Sequence, residues 1–152
     1  MIHFAEIVSG PITPALEATT LQPVQESLAA IHAGGTVGAA LRFEGIVRRA
    51  EASPGHPQQL RDLAAIEYET YDPMAQRELA GLAHKVAVRH GLQAIVVLHS
   101  RGRVAPGECS FVLEVRSAHR AESLAAITEF IDRLKRDVPI WKHLIWSDAE
   151  CG

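Results

Sequence analysis

SAHRAESLAAITEFIDRLKRDVPIWK, from Ser117 to Lys142, is the stretch on which the fold of this chain turns. Leu124, Ile127, Phe130, Ile131 and Leu134 recur three and four apart, the period of an amphipathic helix with one buried stripe. Ser117 is the expected N-cap. Val138-Pro139 stops the helix, because a residue before proline avoids helical angles. Ile140 and Trp141 then read as a short extended piece that delivers Lys142. The first turn holds His119-Arg120. A helix N-terminus carries partial positive charge, so cations there are mildly unfavourable unless an anion sits among them. Free N–H groups, a histidine and an arginine together describe an anion site. A surface arginine beside a half-buried histidine is the plainer alternative. Lys135, in the last turn, complements the helix dipole, and Lys142 taken alone is an ordinary surface residue.

Outward from this helix, the chain alternates strands and helices. Ile2 to Val8 reads as a strand, followed by the punctuation of Pro11, Thr13 and Pro14. Pro23 to Ala33 reads as a helix with Val24, Leu28 and Ile31 on one side, ended by Gly34-Gly35. Thr36 to Arg48 is a long strand candidate, in which Gly45 suggests a bulge or a close backbone approach. Arg49 to Arg61, RAEASPGHPQQLR, reads as an exposed loop able to order over a ligand. Leu63 to Thr70 alternates as a strand. Asp72-Pro73 then supplies an N-cap and a proline for a helix running to about His90 and closed by Gly91. Met74, Leu79, Leu82, Ala83 and Val86 form its apolar face. Ala94 to His99 is a continuous apolar strand, and Arg101 to Gly107 a turn-rich connection. Cys109 to Arg116 is a strand with Cys109, Phe111, Leu113 and Val115 on one face, which makes Cys109 a buried small hydrophobe. The order describes an α+β fold with antiparallel hairpins and three main helices. Residues 1–152 are expected to form a single domain.

Composition narrows the function classes. A formal net charge of -3 leaves no basis for bulk electrostatic binding to nucleic acid, so anion recognition must come from a local cluster. No apolar run approaches the roughly 18 residues of a membrane span. The N-terminus lacks the form of a signal peptide. Cys109 and Cys151 are far apart and in no CxxC, which fits a reduced, cytoplasmic setting; Cys151, beside Gly152, reads as part of a frayed end. His84 and His90 fall on different faces of their helix, and there is no HExxH or zinc-finger spacing, so no metal site is expected. The motifs GxSxG, GxGxxG and GxxxxGK[ST] are absent.

Four blocks in order carry a family resemblance: FEGIVR (Phe43 to Arg48), IEYETYDPMA (Ile66 to Ala75), HSRGRVAPGE (His99 to Glu108), and SAHR through LK to IWK. Together, over roughly residues 36 to 142, the chain resembles the large, catalytic subunit of molybdopterin synthase. The resemblance implies an α/β-hammerhead-like fold. It implies a homodimer that binds a small ubiquitin-like sulfur-carrier subunit at each end, giving a heterotetramer. It implies a reaction in which the carrier's C-terminal Gly-Gly thiocarboxylate donates sulfur twice to cyclic pyranopterin monophosphate, making the dithiolene of molybdopterin. Arg48, His119 and Arg120 are then the residues to hold the phosphate, and Lys135 and Lys142 the catalytic pair. The sulfur comes from the carrier, so neither cysteine need act as nucleophile and no resident cofactor is implied. The chain departs from the pattern at Arg49, where the family usually has asparagine. It departs again after Lys142, where His143-Leu144-Ile145-Trp146 replaces a basic residue and a glutamate. Ile145 and Trp146 read either as a docking patch or as core.

Spacing adds a constraint. His119 and Lys135 are sixteen residues apart, or about 24 Å along a helix at about 1.5 Å per residue. If both serve one reaction, they come from different copies in a two-fold dimer. The other reading of the same cations is a non-enzymatic binding module for a phosphorylated small molecule or an acidic peptide tail. A binder loses affinity gradually as either lysine is changed, whereas a catalyst loses turnover while binding survives.

Overall fold

A computed structural model describes residues 1–147. The elements run β1 (Ile2–Ser9), α1 (Pro14–Ala33), β2 (Ala39–Ile46), β3 (Ala50–Ser53), β4 (His56–Thr70), α2 (Met74–His90), β5 (Ala94–Val104), β6 (Cys109–Ser117), α3 (Arg120–Asp137) and β7 (Ile140–Trp146). This is the expected α+β architecture with three helices. The seven strands form one sheet, antiparallel except where β1 lies parallel to β5.

β5 is the spine. Its first half sits between β1 and β6, and its second half pairs with β4 through Ile66↔Val104 and Tyr68↔Gly102. Successive side chains of a strand point to opposite faces, and β5 buries both. Ile95 and Val97 join Phe111, Leu113 and Val115 under α2 and α3. Ala94 and Val96 pack with Leu28 of α1, and Leu98 with Val112. A strand covered on both sides reads as continuous apolar sequence, which is why AIVVL shows no alternation.

Several expectations are corrected. α1 begins at Pro14, nine residues before Pro23, because Thr13 caps it: the Leu16 N–H donates to Thr13 Oγ1 at 3.2 Å and Pro14 occupies the first turn. Pro23 lies inside the helix. The segment 49–61 is not a loop but a hairpin of β3 on β4, with Ser53 opposite His56 across Pro54-Gly55. Gly55 has φ +78°, and Pro-Gly is the residue pair of a type II turn. Likewise β5 runs on to Val104 through the region expected to be a connection.

Helix ends also differ. Pro73, not Asp72, occupies the N-cap position of α2; the Asp72 carboxylate instead accepts from Thr70 Oγ1 at 2.9 Å and pairs with Arg101. His119 holds the N-cap position of α3 without a side-chain bond. The Ser117 hydroxyl donates to the His119 carbonyl at 2.6 Å. Met74 and Leu124, expected on apolar faces, are exposed.

One irregularity reorients the start of β6. Gly45 pairs with Phe111 and Ile46 with Cys109, so Ser110 is an extra residue in β6. This β-bulge at Gly45 turns Cys109 to the opposite face from Phe111. Cys109 is therefore half-buried beside Val8, Ile12, Leu98 and Val112, not in line with Phe111, Leu113 and Val115. Burial pushes its thiol pKa up.

Candidate functional site: a two-lysine pocket beside the β-bulge

The C-terminal end of α3 and the start of β7 close a cavity of about 430 Å³ against the sheet. Ile131, Leu134 and Lys135 come from α3, and Ile140 and Lys142 from β7. The opposite walls are Phe43 of β2, Tyr68 of β4, His99 of β5, and Ser110 and Phe111 of β6.

Strand register explains the meeting. The Val138 N–H bonds the Leu134 carbonyl, and the Tyr71 N–H the Pro139 carbonyl, so the chain reverses at once after α3. β7 then runs antiparallel to β4, with Ile140 opposite Thr70 and Lys142 opposite Tyr68. Ile140 and Lys142 are two apart and share a face, while Trp141 between them is exposed. Further along, Trp146 packs beside Val47, Leu63, Ile66 and Val104 under the Arg61 guanidinium, which lies 4.5 Å over its ring. Of the two readings of Ile145-Trp146, packing within the chain is what the tryptophan does.

The floor is aromatic and hydrogen-bonded. His99 sits edge-on to Tyr68, with ring centres 5.3 Å apart, and 5.7 Å from Phe111, which in turn stacks on buried Phe130. His99 Nδ1 lies 2.8 Å from the Ser100 carbonyl. Burial pushes the imidazole pKa down, against the smaller upward pull of that bond. Tyr68 donates to Ser110 Oγ at 2.9 Å, and burial raises the phenol above its usual range. The bulge at Ser110 thus supplies the tyrosine's acceptor.

The predicted residues divide into groups. Lys135 and Lys142 meet at this pocket, both exposed at its rim and neither with an ion-pair partner among the described residues. Arg48 is not among its walls. Its guanidinium is 73% exposed and paired with Glu51 at 2.8 Å. His119 and Arg120 stand at the other end of α3, exposed and likewise without an ion-pair partner among the described residues. The histidine there is not half-buried. Gly38 makes that end possible: its N–H donates to the Ser117 carbonyl at 3.0 Å, and a Cβ on it would lie 2.0 Å from the Ala118 carbonyl oxygen. Cys151 lies outside the described residues.

Tyr68, His99 and Ser110 were not singled out as site residues from sequence. The one signal was position: Tyr68 and His99 fall inside two of the four motif blocks, and His99 stands at the end of an apolar run. Among the described residues no group of histidine, cysteine and carboxylate side chains is placed to hold a metal ion, and no helix is long and apolar enough to cross a membrane.

Fold and site together define an α+β protein with paired lysines at a helix–sheet seam over an aromatic floor. The chain belongs to the MoaE protein family, whose pattern matches residues 17–137. It is similar to a molybdopterin synthase catalytic subunit of Oryza sativa subsp. indica, 34% identical over 113 residues, which are 74% of this chain and 55% of that protein. The chain spans about half the length of such curated relatives, 44% of the rat and 47% of the human protein. Its fold matches the crystal structure of molybdopterin synthase from Staphylococcus aureus, at 28% identity and TM-score 0.69, covering 94% of this chain and 91% of that one. The fold also matches a chain from the complex of subunits 1 and 2 of molybdopterin-converting factor of Helicobacter pylori, at 20% identity and TM-score 0.65, covering 96% and 91%.

Proposed function

We propose that this chain is the catalytic subunit of a molybdopterin synthase. It transfers sulfur from the thiocarboxylated C-terminus of a small ubiquitin-like carrier to cyclic pyranopterin monophosphate. The observation that carries this is the meeting of Lys135 and Lys142 at one pocket, from two elements joined by a tight reversal. Both substrates are anionic where they must be gripped, one at a phosphate and one at a terminal thiocarboxylate. Two ammonium groups without an ion-pair partner among the described residues, side by side on a half-apolar rim, attract such groups. Lys135 serves proton transfer, or stabilises the charge that develops as sulfur attacks, and Lys142 assists.

The chain works as a homodimer in this proposal, with His119 and Arg120 of a second copy completing the phosphate site. Their distance along α3 from Lys135, and the lack of an ion-pair partner for either among the described residues, support that arrangement. Arg48 is a third phosphate ligand once released from Glu51; a planar guanidinium fork suits phosphate oxygens. The carrier binds as the two subunits of the Helicobacter pylori factor do in their complex, giving a heterotetramer.

Reconstitution tests the proposal. The chain, a carrier ending in a Gly-Gly thiocarboxylate and the cyclic pterin should form the dithiolene. Ligand binding without sulfur transfer, declining gradually as either lysine is replaced, would establish a binding module instead.

A further inference from the structure

His99 has a feature that the two-lysine chemistry does not use. It is 7% exposed, and its ring lines the cavity. The Ser100 carbonyl can only accept, so Nδ1 carries the hydrogen of the 2.8 Å bond. In the neutral ring that fixes the tautomer and leaves Nε2 with a lone pair. Nε2 has no hydrogen-bond partner among the described residues, and it is not among the sealed, unsatisfied buried atoms. Tyr68 and Phe111 hold the ring in place.

Of the other polar side chains that line the cavity, two are lysines and two are hydroxyls whose hydrogens are already engaged within the wall. The lysines only donate. The Tyr68 hydroxyl donates to Ser110 Oγ, and Ser110 Oγ to the Gly45 carbonyl at 3.5 Å. The cavity pairs a cationic rim with a neutral acceptor nitrogen, fixed in place by the Ser100 carbonyl, on an aromatic floor. A ligand matching it carries an anionic group at one side and, at the other, a flat ring with an N–H.

We propose that His99 Nε2 accepts a hydrogen bond from a ring N–H of the bound phosphorylated heterocycle, so that His99 orients the ring while the lysines face its reacting side. The inference rests on the functional reading above and adds to it a recognition residue for the pterin. Burial, which keeps the imidazole neutral, keeps Nε2 an acceptor.

The test uses the full-length wild-type chain labelled with ¹⁵N-histidine, its His99 signal assigned by its absence in His99→Phe. Cyclic pyranopterin monophosphate should move the unprotonated Nε2 resonance upfield, as hydrogen-bond acceptance does. Inorganic phosphate and a peptide ending in Gly-Gly should leave it in place. His99→Asn keeps a donor near the Ser100 carbonyl and removes the acceptor, so KM for the pterin should rise about tenfold or more with kcat much less changed. His99→Gln, which brings an amide oxygen near the Nε2 position, should recover most of that loss.

An Nε2 resonance unmoved by the pterin overturns the inference, as does one moved equally by the peptide. So does a KM unchanged in His99→Asn. If wild type makes the dithiolene while these results go against His99, only this inference falls. If wild type neither binds the pterin nor transfers sulfur, the functional reading falls with it.

Discussion

The two ends of α3 carry cations in opposite settings. At the C-terminal end, Lys135 meets Lys142 over an apolar and aromatic pocket, and Lys135, in the last turn, complements the negative end of the helix dipole. At the N-terminal end, His119 and Arg120 sit in the open where the dipole disfavours them, and neither has a carboxylate partner among the described residues. The first pair is explained by this chain alone. The second is not, and an anion together with a neighbouring surface would explain it. The contrast teaches that the fold by itself builds the two-lysine half of the candidate site, and that the proposal assigns the other half to assembly.

The sharpest way to break the contrast is to remove the built half. Lys135→Ala should lower kcat by about 10²–10⁴-fold, the usual worth of a proton-transferring group, with the binding of the cyclic pterin nearly intact. Equal losses in binding and turnover would demote Lys135 to an anchor. The second test asks whether the exposed half belongs to the same site. His119→Ala and Lys135→Ala chains mixed one to one, after exchange, should regain about a quarter of wild-type activity, since half the dimers are mixed and each mixed dimer has one intact site of two. No recovery would confine each site to one chain.

Gly38→Ala probes how firmly the N-terminal end is held. A methyl group 2.0 Å from the Ala118 carbonyl oxygen must displace the entry to α3, at about 1–3 kcal/mol read as a lowered Tm. Activity should fall through His119 and Arg120 rather than through the lysines. Acid probes the floor beneath the other end. His99 has a lowered pKa when folded, so below about pH 6.5 the unfolded chain takes up a proton that the folded one resists. Stability should fall as pH drops through that window, and urea unfolding of His99→Phe should show a shallower decline.

The smallest effect belongs to Cys109, whose Sγ lies 3.3 Å from the Phe111 carbonyl on the far side of the bulge. Replacing both cysteines with serine should leave sulfur transfer largely intact; abolished transfer would require a protein thiol in the mechanism.

Where contacts are local, residues foretold structure. The stop at Val138-Pro139 and the close of α2 at Gly91 with φ +60° follow from single residues acting on their own backbone, and the bulge that Gly45 suggested lies opposite it, with Ser110 of β6 as the extra residue. Polar composition misled at 49–61, because a strand's identity is settled by its partner. RAEASPGHPQQLR becomes a hairpin once Pro54-Gly55 turns it and β4 extends to meet it. Hydrophobic spacing misled at Met74 and Leu124, since periodicity gives the face of a helix but not how far its neighbours reach.

By itself the chain's order of residues determined the α+β plan, the three helices, the family blocks, and Lys135 and Lys142 as the cations to watch. Only the folded structure decided that these lysines share a cavity, that Tyr68 and His99 floor it, and that Ser110 is the bulge residue holding the tyrosine. The reason is that a helix or turn is dictated by neighbours a few residues apart. A pocket walled by five strands and the end of a helix depends on registers between segments tens of residues distant, and a shift of one residue in a strand would point its side chains away.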